Sequence, residues 1–305
     1  METLRPARLP ERALDSHKGD YGRVLIVAGS RAYPGAALLS VLGAGRAGAG
    51  YVRLAAPAEI LPLVMPGAPF CIPRGLPSSA TGGLDERAEP ELRQLAADSD
   101  VVVLGPGLGT DEGTRRLTEL LIPRLTGLLV LDADALNLLA TGDPRTLRER
   151  RAPTVLTPHP GEWKRLAERL DLPPFEAGSR DERREDQAAD LAHALGVVVV
   201  LKGHRSVICD GERSRIEPRG HPAMAKAGMG DVLSGALGAL LARVPDAAEA
   251  TALAVRAHAL AGELAAQELG PEGVLPQDLA DRLGRALALS EQEPDWEQPE
   301  DAAIG

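Results

Sequence analysis

The strongest constraint on the fold is a repeated pattern: a short, unbroken apolar run ends in glycine or polar residues, and a helical stretch follows. Runs of this kind are typical of strands buried on both faces of a sheet, which pair in parallel and use helices as crossovers. The pattern therefore predicts an α/β fold with one open sheet covered by helices. Strands are predicted at 24–28, 51–55, 101–104, 128–131, 155–157 and 197–201.

The rest of the chain is predicted to be mostly helical, apart from one hairpin. Two short apolar segments at 206–209 and 214–216 flank Asp210-Gly211, a dipeptide that favours a tight turn, and they predict a small antiparallel hairpin. A polar stretch at 173–186 predicts a loop that leads into a helix. Helices are predicted at 35–48, 232–243, 246–268 and 276–287.

Composition excludes several classes of protein. Hydrophobic residues make up 44% of the 305 residues and charged residues 26%, so a sizeable core is possible and wholesale disorder is excluded. Aromatic residues are only 2%, so the core must be aliphatic. The net charge of −10 argues against nucleic acid or an anionic membrane as a partner. The longest uncharged runs, 32–45 and 60–73, have 14 residues each, whereas a membrane span needs about 18 or more.

The cysteines and the chain ends bear on location and on domain boundaries. Cys71 and Cys209 are too few for a disulfide framework or a zinc site, and residues 1–20 lack an apolar signal core, so we expect a cytoplasmic protein. No break in composition divides the chain. We expect an N-terminal arm at 1–15, one domain at 16–288, and a tail at 289–305 whose six acidic and no basic residues predict disorder.

Chemistry is expected where the parallel strands end, because ligands of open α/β sheets bind beyond the carboxyl ends of the strands. Five of the predicted strands are followed by small, polar or titratable residues. We expect these segments to meet at one edge of the sheet. They are 29–36, 105–109, 132–137, 158–162 and 202–206.

The most informative segment is Lys-Ala-Gly-Met-Gly-Asp-Val-Leu-Ser-Gly at 226–235. Its glycines allow a tight turn and close approach of a ligand, and the apolar pattern after Asp231 predicts that a helix begins there. Exposed N–H groups at a helix start favour an anion. Asp231 fits either an N-cap or a general base beside a phosphate site, and the glycines before it favour the base. Such a base accepts a hydroxyl proton while the N–H groups stabilise a transferring phosphoryl group.

The same segments also fit other interpretations. The segment is not a Walker A loop, and Leu233 stands where Gly-x-Gly-x-x-Gly needs its third glycine, so a nucleotide-dependent dehydrogenase is weakly supported. His159 also fits a surface position and Lys202 a side chain that extends to solvent, but we favour function for both. For Asp132 and Asp134, a turn and an N-cap remain as open as function. The remaining histidines lack metal-ligand spacing and are expected to be structural or exposed; they are His17, His193, His204, His221 and His258.

Eight segments stand in an order that resembles a known family. They are Gly-Asp-Tyr-Gly-Arg-Val-Leu-Ile-Val-Ala-Gly-Ser (19–30), Pro-Gly-Ala-Ala (34–37), Arg-Ala-Gly-Ala-Gly (46–50), Gly-Pro-Gly-Leu-Gly (105–109), Asp-Ala-Asp-Ala-Leu-Asn (132–137), Thr-Pro-His-Pro-Gly-Glu (157–162), Leu-Lys-Gly (201–203) and Ala-Gly-Met-Gly-Asp-Val-Leu-Ser-Gly (227–235). Together they resemble the NAD(P)H-hydrate dehydratases of the ribokinase-like superfamily. The resemblance implies a three-layer α/β/α fold with a mostly parallel sheet and the hairpin at one edge.

The resemblance also implies an activity. Members of the family are lyases of metabolite repair that act on the S form of NADH or NADPH hydrated at nicotinamide C6 (NADHX, NADPHX). They phosphorylate the C6 hydroxyl from ADP or ATP with Mg²⁺, and loss of phosphate then restores the dihydronicotinamide; bacterial members typically use ADP. A homo-oligomer, in particular a tetramer, is implied as well. The metal ligands are left unassigned.

Site residues are carried over position by position. Asp231 would be the catalytic base, Gly228, Met229 and Gly230 the anion hole, and Asn137 a possible support. The hydrated dinucleotide would contact Ala36, Gly107, His159 and Asp231. The nucleotide would contact Lys202, Gly203, His204, Arg205, Ser206 and Gly230.

Two departures from the family pattern are visible. Ala227-Gly228-Met229-Gly230-Asp231 stands where Gly-Gly-Ser/Thr-Gly-Asp is common, so the backbone N–H groups persist but a hydroxyl is lost. About 20 residues precede the first predicted strand, so the N-terminal epimerase domain of many relatives is expected to be absent. Two alternatives stay open: a ribokinase-like kinase of a small vitamin-precursor alcohol, and a non-catalytic nucleotide-binding module.

Overall fold

The computed structural model describes residues 1–174 and 181–292, which form a single ten-stranded sheet with helices on both faces. The strands are β1 Glu2–Thr3, β2 Arg23–Val27, β3 Tyr51–Pro57, β4 Ile72–Leu76, β5 Val101–Leu104, β6 Leu128–Leu131, β7 Thr154–Leu156, β8 Val198–Leu201, β9 Val207–Cys209 and β10 Arg213–Ile216. The α-helices are α1 Pro34–Arg46, α2 Leu61–Val64, α3 Glu89–Ala97, α4 Glu112–Leu121, α5 Asp134–Thr141, α6 Pro160–Leu170, α7 Asp181–Leu195, α8 Met229–Leu241, α9 Ala247–Leu269 and α10 Pro276–Gln292.

The sheet is almost entirely parallel. Its strand order is β1-β10-β9-β8-β7-β6-β5-β2-β3-β4, and among the described strands β9 alone runs opposite to the others. The chain moves outward in one direction from β2 to β4 and in the other from β5 to β8. The order therefore reverses between β2 and β5, and the crevice beyond the carboxyl ends of these two strands is where such a sheet binds ligands.

The predicted elements are confirmed, with shifts of a few residues. All six predicted parallel strands are present, and β9 and β10 form the antiparallel hairpin near one edge. Two strands were not predicted. β1 has two residues and pairs with β10, so it lies outside the hairpin. β4 is a mostly exposed edge strand that contains Pro73 and Gly75, and neither residue is typical of a strand interior.

Two apolar cores lie on opposite faces of the sheet, which makes the fold three-layered. One core packs α1, α8, α9 and α10 against the sheet, and the other packs α3 to α7 against the opposite face. Both consist mainly of alanine, valine and leucine, as the low aromatic content predicts. β2, β5 and β6 contribute alternate residues to the two cores, which explains their unbroken apolar runs.

Helices α1 and α8 approach each other closely through glycine. A β-carbon added at Gly235 would stand 1.9 Å from the carbonyl oxygen of Ser40, and one at Gly43 would stand 2.2 Å from that of Val232. Only glycine allows the two backbones to pack at this distance. This contact fixes the position of α8, whose first turn contains Asp231, relative to the loop after β2.

The ends of the domain differ in part from the sequence expectation. Leu4 and Ala7 are buried and β1 extends the sheet, so the first part of the arm packs against the domain, whereas residues 10–15 are exposed. Helix α10 continues to Gln292, four residues beyond the predicted end of the domain at 288. The rest of the predicted tail, 293–305, lies outside the described residues, as do 175–180 of the predicted loop at 173–186. Within the described residues, no helix combines the length and apolar character that crossing a membrane requires.

Candidate active site

The first turn of α8 is built for close approach of an anion. Gly228 precedes the helix with φ +95°, and a β-carbon there would stand 2.5 Å from Leu39 Cδ1, so the position requires glycine. Met229, Gly230 and Asp231 are the first three helical residues, and no preceding helical turn supplies acceptors for their N–H groups. The N-cap interpretation of Asp231 is therefore wrong, because the left-handed Gly228, three positions earlier, is the N-cap.

Asp231 is half-buried and lies in an electrostatic field of mixed sign. Burial, together with the nearby negative charges of Asp132 and Asp134, raises the pKa of its carboxyl to about 7, while the positive charge of Lys202 opposes the rise. A carboxylate with this pKa is able to bind and release a proton near neutral pH, as a general base must. The sequence-based assignment of Asp231 as the base remains a prediction, and this field supports it.

Lys202 follows β8 and forms a buried ion pair with Asp132. Its Nζ lies 2.7 Å from Oδ1 of Asp132 and 3.8 Å from Oε2 of Glu162. Burial alone would lower the pKa of Lys202, but the charges of Asp132 and Glu162 outweigh it and raise the pKa. A β-carbon at Gly230 would stand 3.5 Å from this ammonium, so the charge lies beside the first turn of α8. Lys202 therefore points into the site, where its side chain is 21% exposed, and its ammonium is bound to Asp132.

Asp132 is the centre of a network that sequence reasoning did not identify. Its side chain is 1% exposed and accepts hydrogen bonds from Lys202 and from the hydroxyls of Thr157 at 2.6 Å and Ser234 at 2.6 Å. Burial opposes its ionisation, but the Lys202 charge and these hydrogen bonds outweigh the burial, so the pKa of Asp132 is lowered. The side chain is no helix cap, because α5 begins after Ala133.

His159 and Glu162 form a reciprocal cap at the start of α6. The backbone N–H of His159 donates to Glu162 Oε2 at 2.8 Å, and His159 Nδ1 accepts from the N–H groups of Gly161 and Glu162. The histidine Nε2 therefore carries the proton of the neutral ring and lies 3.3 Å from Glu162 Oε1. Burial, with Lys202 and Arg165, lowers the pKa of His159, and burial raises the pKa of Glu162 to about 7. A glutamate three residues after a capping residue was the available signal for Glu162.

The loop after β8 is held in an uncommon conformation. Arg205 has φ +58° and donates to Asp181 Oδ2 at 2.8 Å. Arg184 donates through Nη1 to the carbonyl oxygens of His204 at 2.6 Å and Arg205 at 2.7 Å. Both partners lie in the first turn of α7, a segment that sequence reasoning left without a role. They fix the loop whose residues were predicted to contact the nucleotide.

A cavity of about 770 Å³ opens beside this loop and beside α8. It brings together all six predicted nucleotide contacts with His159, and adds charged and apolar residues that were not predicted. The volume is sufficient for a mononucleotide-sized ligand. The predicted residues in its lining are His159, Lys202, Gly203, His204, Arg205, Ser206, Met229 and Gly230; those added include Glu217, Arg219, His221, Met224, Lys226, Val255 and His258.

His258 was expected to be structural or exposed, and it is a buried residue of α9. Its Nε2 lies 2.9 Å from the carbonyl oxygen of Met229, and burial lowers the pKa of the ring to about 4. The neutral ring therefore donates to that oxygen, and this hydrogen bond joins the first residue of α8 to α9. The side chain of Met229 is itself 4% exposed, so the residue in place of the common Ser or Thr packs into the core.

Two predicted substrate contacts lie at the reversal of strand order. A β-carbon at Gly107 would stand 2.7 Å from that of Ala36, so the loop after β5 lies against the start of α1. The N–H of Gly29 joins the two loops by donating to Pro106 O at 2.8 Å. Gly228, Ala36, Gly107, Asp231 and Asn137 are outside the lining of the large cavity.

Asp134 and Asn137 support the glycine loop after β5. Asp134 Oδ2 accepts from the N–H of Gly109 at 2.8 Å, and Asn137 Nδ2 lies 3.4 Å from the other carboxylate oxygen. Asn137 Oδ1 accepts two hydrogen bonds from Arg165. Asn137 thus lies behind the loop after β5, and its predicted support of the phosphate and metal region stays a prediction.

The fold and this site together define a class of protein. A cation and a titratable carboxylate lie at the positive end of a glycine-started helix, next to a nucleotide-sized cavity at the carboxyl edge of a parallel sheet. This arrangement is suited to transfer of a phosphoryl group onto a hydroxyl.

Comparison with known proteins gives the family. Residues 24–285 match the family described as NAD(P)H-hydrate dehydratase, and the chain belongs to it. It is 42% identical over 289 residues to the bifunctional NAD(P)H-hydrate repair enzyme of Thermofilum pendens, covering 94% of this chain and 54% of that protein. It is 32% identical over 285 residues to the ADP-dependent (S)-NAD(P)H-hydrate dehydratase of Listeria monocytogenes, covering 93% and 94% of the two chains.

A solved structure confirms the fold. The ADP/ATP-dependent NAD(P)H-hydrate dehydratase of Bacillus subtilis, co-crystallised with ATP and Mg²⁺, superposes with a TM-score of 0.75 at 30% identity and covers 94% of this chain and 98% of its own. The three-layer, ribokinase-like architecture predicted from the sequence is therefore confirmed. The chain spans about half the length of the bifunctional relatives it matches, for example 54% and 53% of two of them.

Proposed function

We propose that this protein is a metabolite-repair lyase that dehydrates the S form of hydrated NADH and NADPH, with ADP or ATP as phosphoryl donor. One observation carries the proposal: the Asp231 carboxyl, whose pKa is raised to about 7, lies in the first turn of a glycine-started helix beside the Lys202 ammonium. The family match and the Listeria relative, which is named as ADP-dependent, support the choice of substrates.

The two substrates are assigned to neighbouring parts of the site. The nucleotide would occupy the 770 Å³ cavity, with its phosphates directed at Lys202 and Gly230 and its remaining groups along the loop 203–206. The hydrated dinucleotide would contact Ala36, Gly107 and His159 and present its C6 hydroxyl to Asp231. Gly230 in the first turn of α8 lines the cavity, and Gly228 packs against Leu39 of α1, so the phosphoryl group would pass this turn.

The reaction follows from the groups that face this turn. Asp231 accepts the proton of the C6 hydroxyl while the hydroxyl oxygen bonds to the terminal phosphorus of the donor, and the bond to the leaving phosphate oxygen breaks. The N–H groups of 228–230 and the Lys202 ammonium stabilise the charge that develops on the phosphoryl oxygens. Phosphate then leaves C6 as the adjacent ring carbon loses a proton, which restores the double bond. From ADP, the products are NAD(P)H, AMP and phosphate.

Mg²⁺ would arrive with the nucleotide. Within 1–174 and 181–292, no three His, Cys, Asp or Glu side chains are grouped so as to hold a metal. Mg²⁺ commonly keeps several waters and binds through substrate phosphates with few protein ligands, and this site fits that arrangement. When bound, the ion would neutralise phosphate charge; no residue is assigned as its direct ligand.

Location and assembly are part of the proposal. Cys71 and Cys209 are free and buried, which suits a reducing compartment, and we place the protein in the cytoplasm. We also propose a homo-oligomer, with a tetramer as the expected state. Size-exclusion chromatography with light scattering measures this directly, and a monomer at micromolar concentration would contradict it.

The function is tested by recovery of reduced nicotinamide. Purified protein is incubated with hydrated NADH or NADPH and Mg²⁺, in parallel with ADP and with ATP, while absorbance at about 340 nm is followed and AMP and phosphate are quantified. We expect absorbance to return with stoichiometric release of phosphate. A stable phosphorylated product from a small alcohol would indicate the kinase alternative. Nucleotide binding without turnover with either donor would indicate the binding module and refute the proposal.

A further inference from the structure

A buried carboxylate joins the two halves of the site. Oδ1 of Asp132 accepts from the Lys202 ammonium at 2.7 Å and from Thr157 Oγ1 at 2.6 Å, while Oδ2 accepts from Ser234 Oγ at 2.6 Å. Lys202 belongs to the nucleotide loop after β8, and Ser234 belongs to α8, which contains Asp231. These partners are separated from Asp132 by 70 and 102 positions in the chain.

We propose that Asp132 is a positioning residue for phosphoryl transfer, which holds the Lys202 ammonium and the first turn of α8 in one fixed arrangement. This inference rests on the proposed function and deepens it. Asp132 is 1% exposed, so it touches neither substrate and acts through the two groups that it holds.

Ser234 transmits the position of Asp132 to the anion site. Its hydroxyl lies 2.6 Å from Asp132 Oδ2 and 3.0 Å from the carbonyl oxygen of Gly230, one turn earlier in α8. Gly230 in turn lies against the Lys202 ammonium, 3.5 Å from where its β-carbon would stand. Asp132 is therefore hydrogen-bonded to Lys202 on one side and, through Ser234, to the first turn of α8 on the other, so a displacement of Asp132 moves both.

The charge of Asp132 acts on the base as well as on the lysine. The titratable groups that influence Asp231 are Asp132 from the end of β6, Lys202 from the end of β8 and Asp134 from α5. Lys202 also contacts Glu162 of α6, and His258 of α9 is neutral at pH 7 because burial lowers its pKa to about 4. Burial is the largest cause of the raised pKa of Asp231, and among the charged groups Asp132 contributes most to the rise, with a smaller contribution from Asp134.

A purely structural role predicts different behaviour from a positioning role. If Asp132 only stabilised the fold, replacing it would lower the unfolding temperature and leave the pH profile of the remaining active protein unchanged. If it positions and tunes the site, replacing it lowers kcat with a smaller effect on KM, and it moves the acid limb of the pH profile, which reports the pKa of the base.

The test uses two variants of the whole protein in the recovery assay. Asp132→Asn keeps the shape and removes the charge; we expect kcat to fall about 100-fold and the acid limb of kcat/KM to move to lower pH. Ser234→Ala removes the link to α8 but keeps the charge; we expect a fall in kcat of about tenfold with the acid limb unmoved. Thr251→Val is the control: it removes one buried hydrogen bond in α9, from the hydroxyl to the carbonyl oxygen of Ala247, and we expect neither kcat nor the acid limb to change.

The outcomes separate this inference from the proposed function. If the wild-type protein is active and Asp132→Asn keeps its acid limb, or Ser234→Ala keeps full kcat, the positioning role is refuted. Should Asp132→Asn fail to fold, Ser234→Ala alone decides. If the wild-type protein shows no recovery, the proposed function fails, and the binding of fluorescent ADP then tests the inference. Asp132→Asn is expected to weaken this binding about tenfold. Equal affinity of the variant and the wild-type protein would overturn the inference.

Discussion

Replacing Lys202 by methionine removes the cation from a carboxylate that water does not reach. Asp132 is 1% exposed, and Lys202 Nζ lies 2.7 Å from its Oδ1. Methionine retains an unbranched, flexible stem of similar length, so the change removes charge with little change in shape. The hydroxyls of Thr157 and Ser234 would remain as partners of the carboxylate.

The expected loss of stability follows from the unpaired charge. Removing one partner of a buried ion pair typically costs about 3–5 kcal/mol, because the remaining charge is uncompensated. In the variant, burial raises the pKa of Asp132, which the Lys202 charge lowers in the wild type. An acid whose pKa is higher in the folded state than the value of about 3.9 in the unfolded chain binds more protons when folded, so stability falls as the pH rises. We therefore expect a loss of about 3 kcal/mol at pH 8 and less at pH 5.

Urea denaturation followed by circular dichroism at pH 5 and pH 8 measures both the loss of unfolding free energy and its dependence on pH. In the wild type, the pair of Asp132 and Lys202 does not make the unfolding free energy depend on pH between pH 5 and pH 8. The pKa of Asp132 is lowered and that of Lys202 is raised, so both groups titrate outside this range. Lys164→Met is the control: Lys164 is 65% exposed and lies 3.8 Å from Glu168, so a change within about 0.5 kcal/mol is expected. A loss below about 1 kcal/mol for Lys202→Met, or the same loss at both pH values, would refute the reasoning.

Two further substitutions test the packing and the nucleotide loop. Gly43→Ala is expected to destabilise the fold by about 1–3 kcal/mol, because its β-carbon would stand 2.2 Å from a backbone oxygen of α8. The control Gly35→Ala, whose β-carbon would have nothing within 4 Å, should be neutral or stabilising in the same denaturation assay. Equal stabilities of the two variants would contradict the close packing. Arg184→Met is expected to weaken ADP binding about tenfold, as measured by titration calorimetry, because it releases the loop 202–206. The control Arg169→Met removes an exposed arginine–carbonyl bond at Gly142 and should leave the affinity for ADP unchanged. Loss of binding in both variants would argue against a loop-specific effect.

The sheet could be predicted because its signal is local. Strands such as β5, Val101–Leu104, and β8, Val198–Leu201, are buried at every position and therefore read as unbroken apolar runs. β4 could not be predicted, because four of its five residues are exposed and it contains Pro73. β1 could not be predicted, because two residues paired to a strand over 200 positions away leave no periodic pattern.

The sequence predicts which segments lie at the site, but it does not predict the hydrogen bonds between them. Sequence brought His159 and the loop 202–206 together correctly, because the carboxyl ends of parallel strands meet at one edge. The role of Asp132 depends on partners 25, 70 and 102 positions away, and no local pattern reveals them. The helix start was misplaced at Asp231 because the left-handed conformation of Gly228, which begins the helix, depends on its contact with α1 and α10.

Asp231→Asn tests the central claim most directly, since it keeps the shape of the side chain and removes its ability to accept a proton. The account predicts that turnover in the recovery assay is lost while ADP binds with wild-type affinity, and that Asp171→Asn, a change at a side chain that is 92% exposed, retains full activity. An Asp231→Asn protein that keeps most of its turnover would contradict the account.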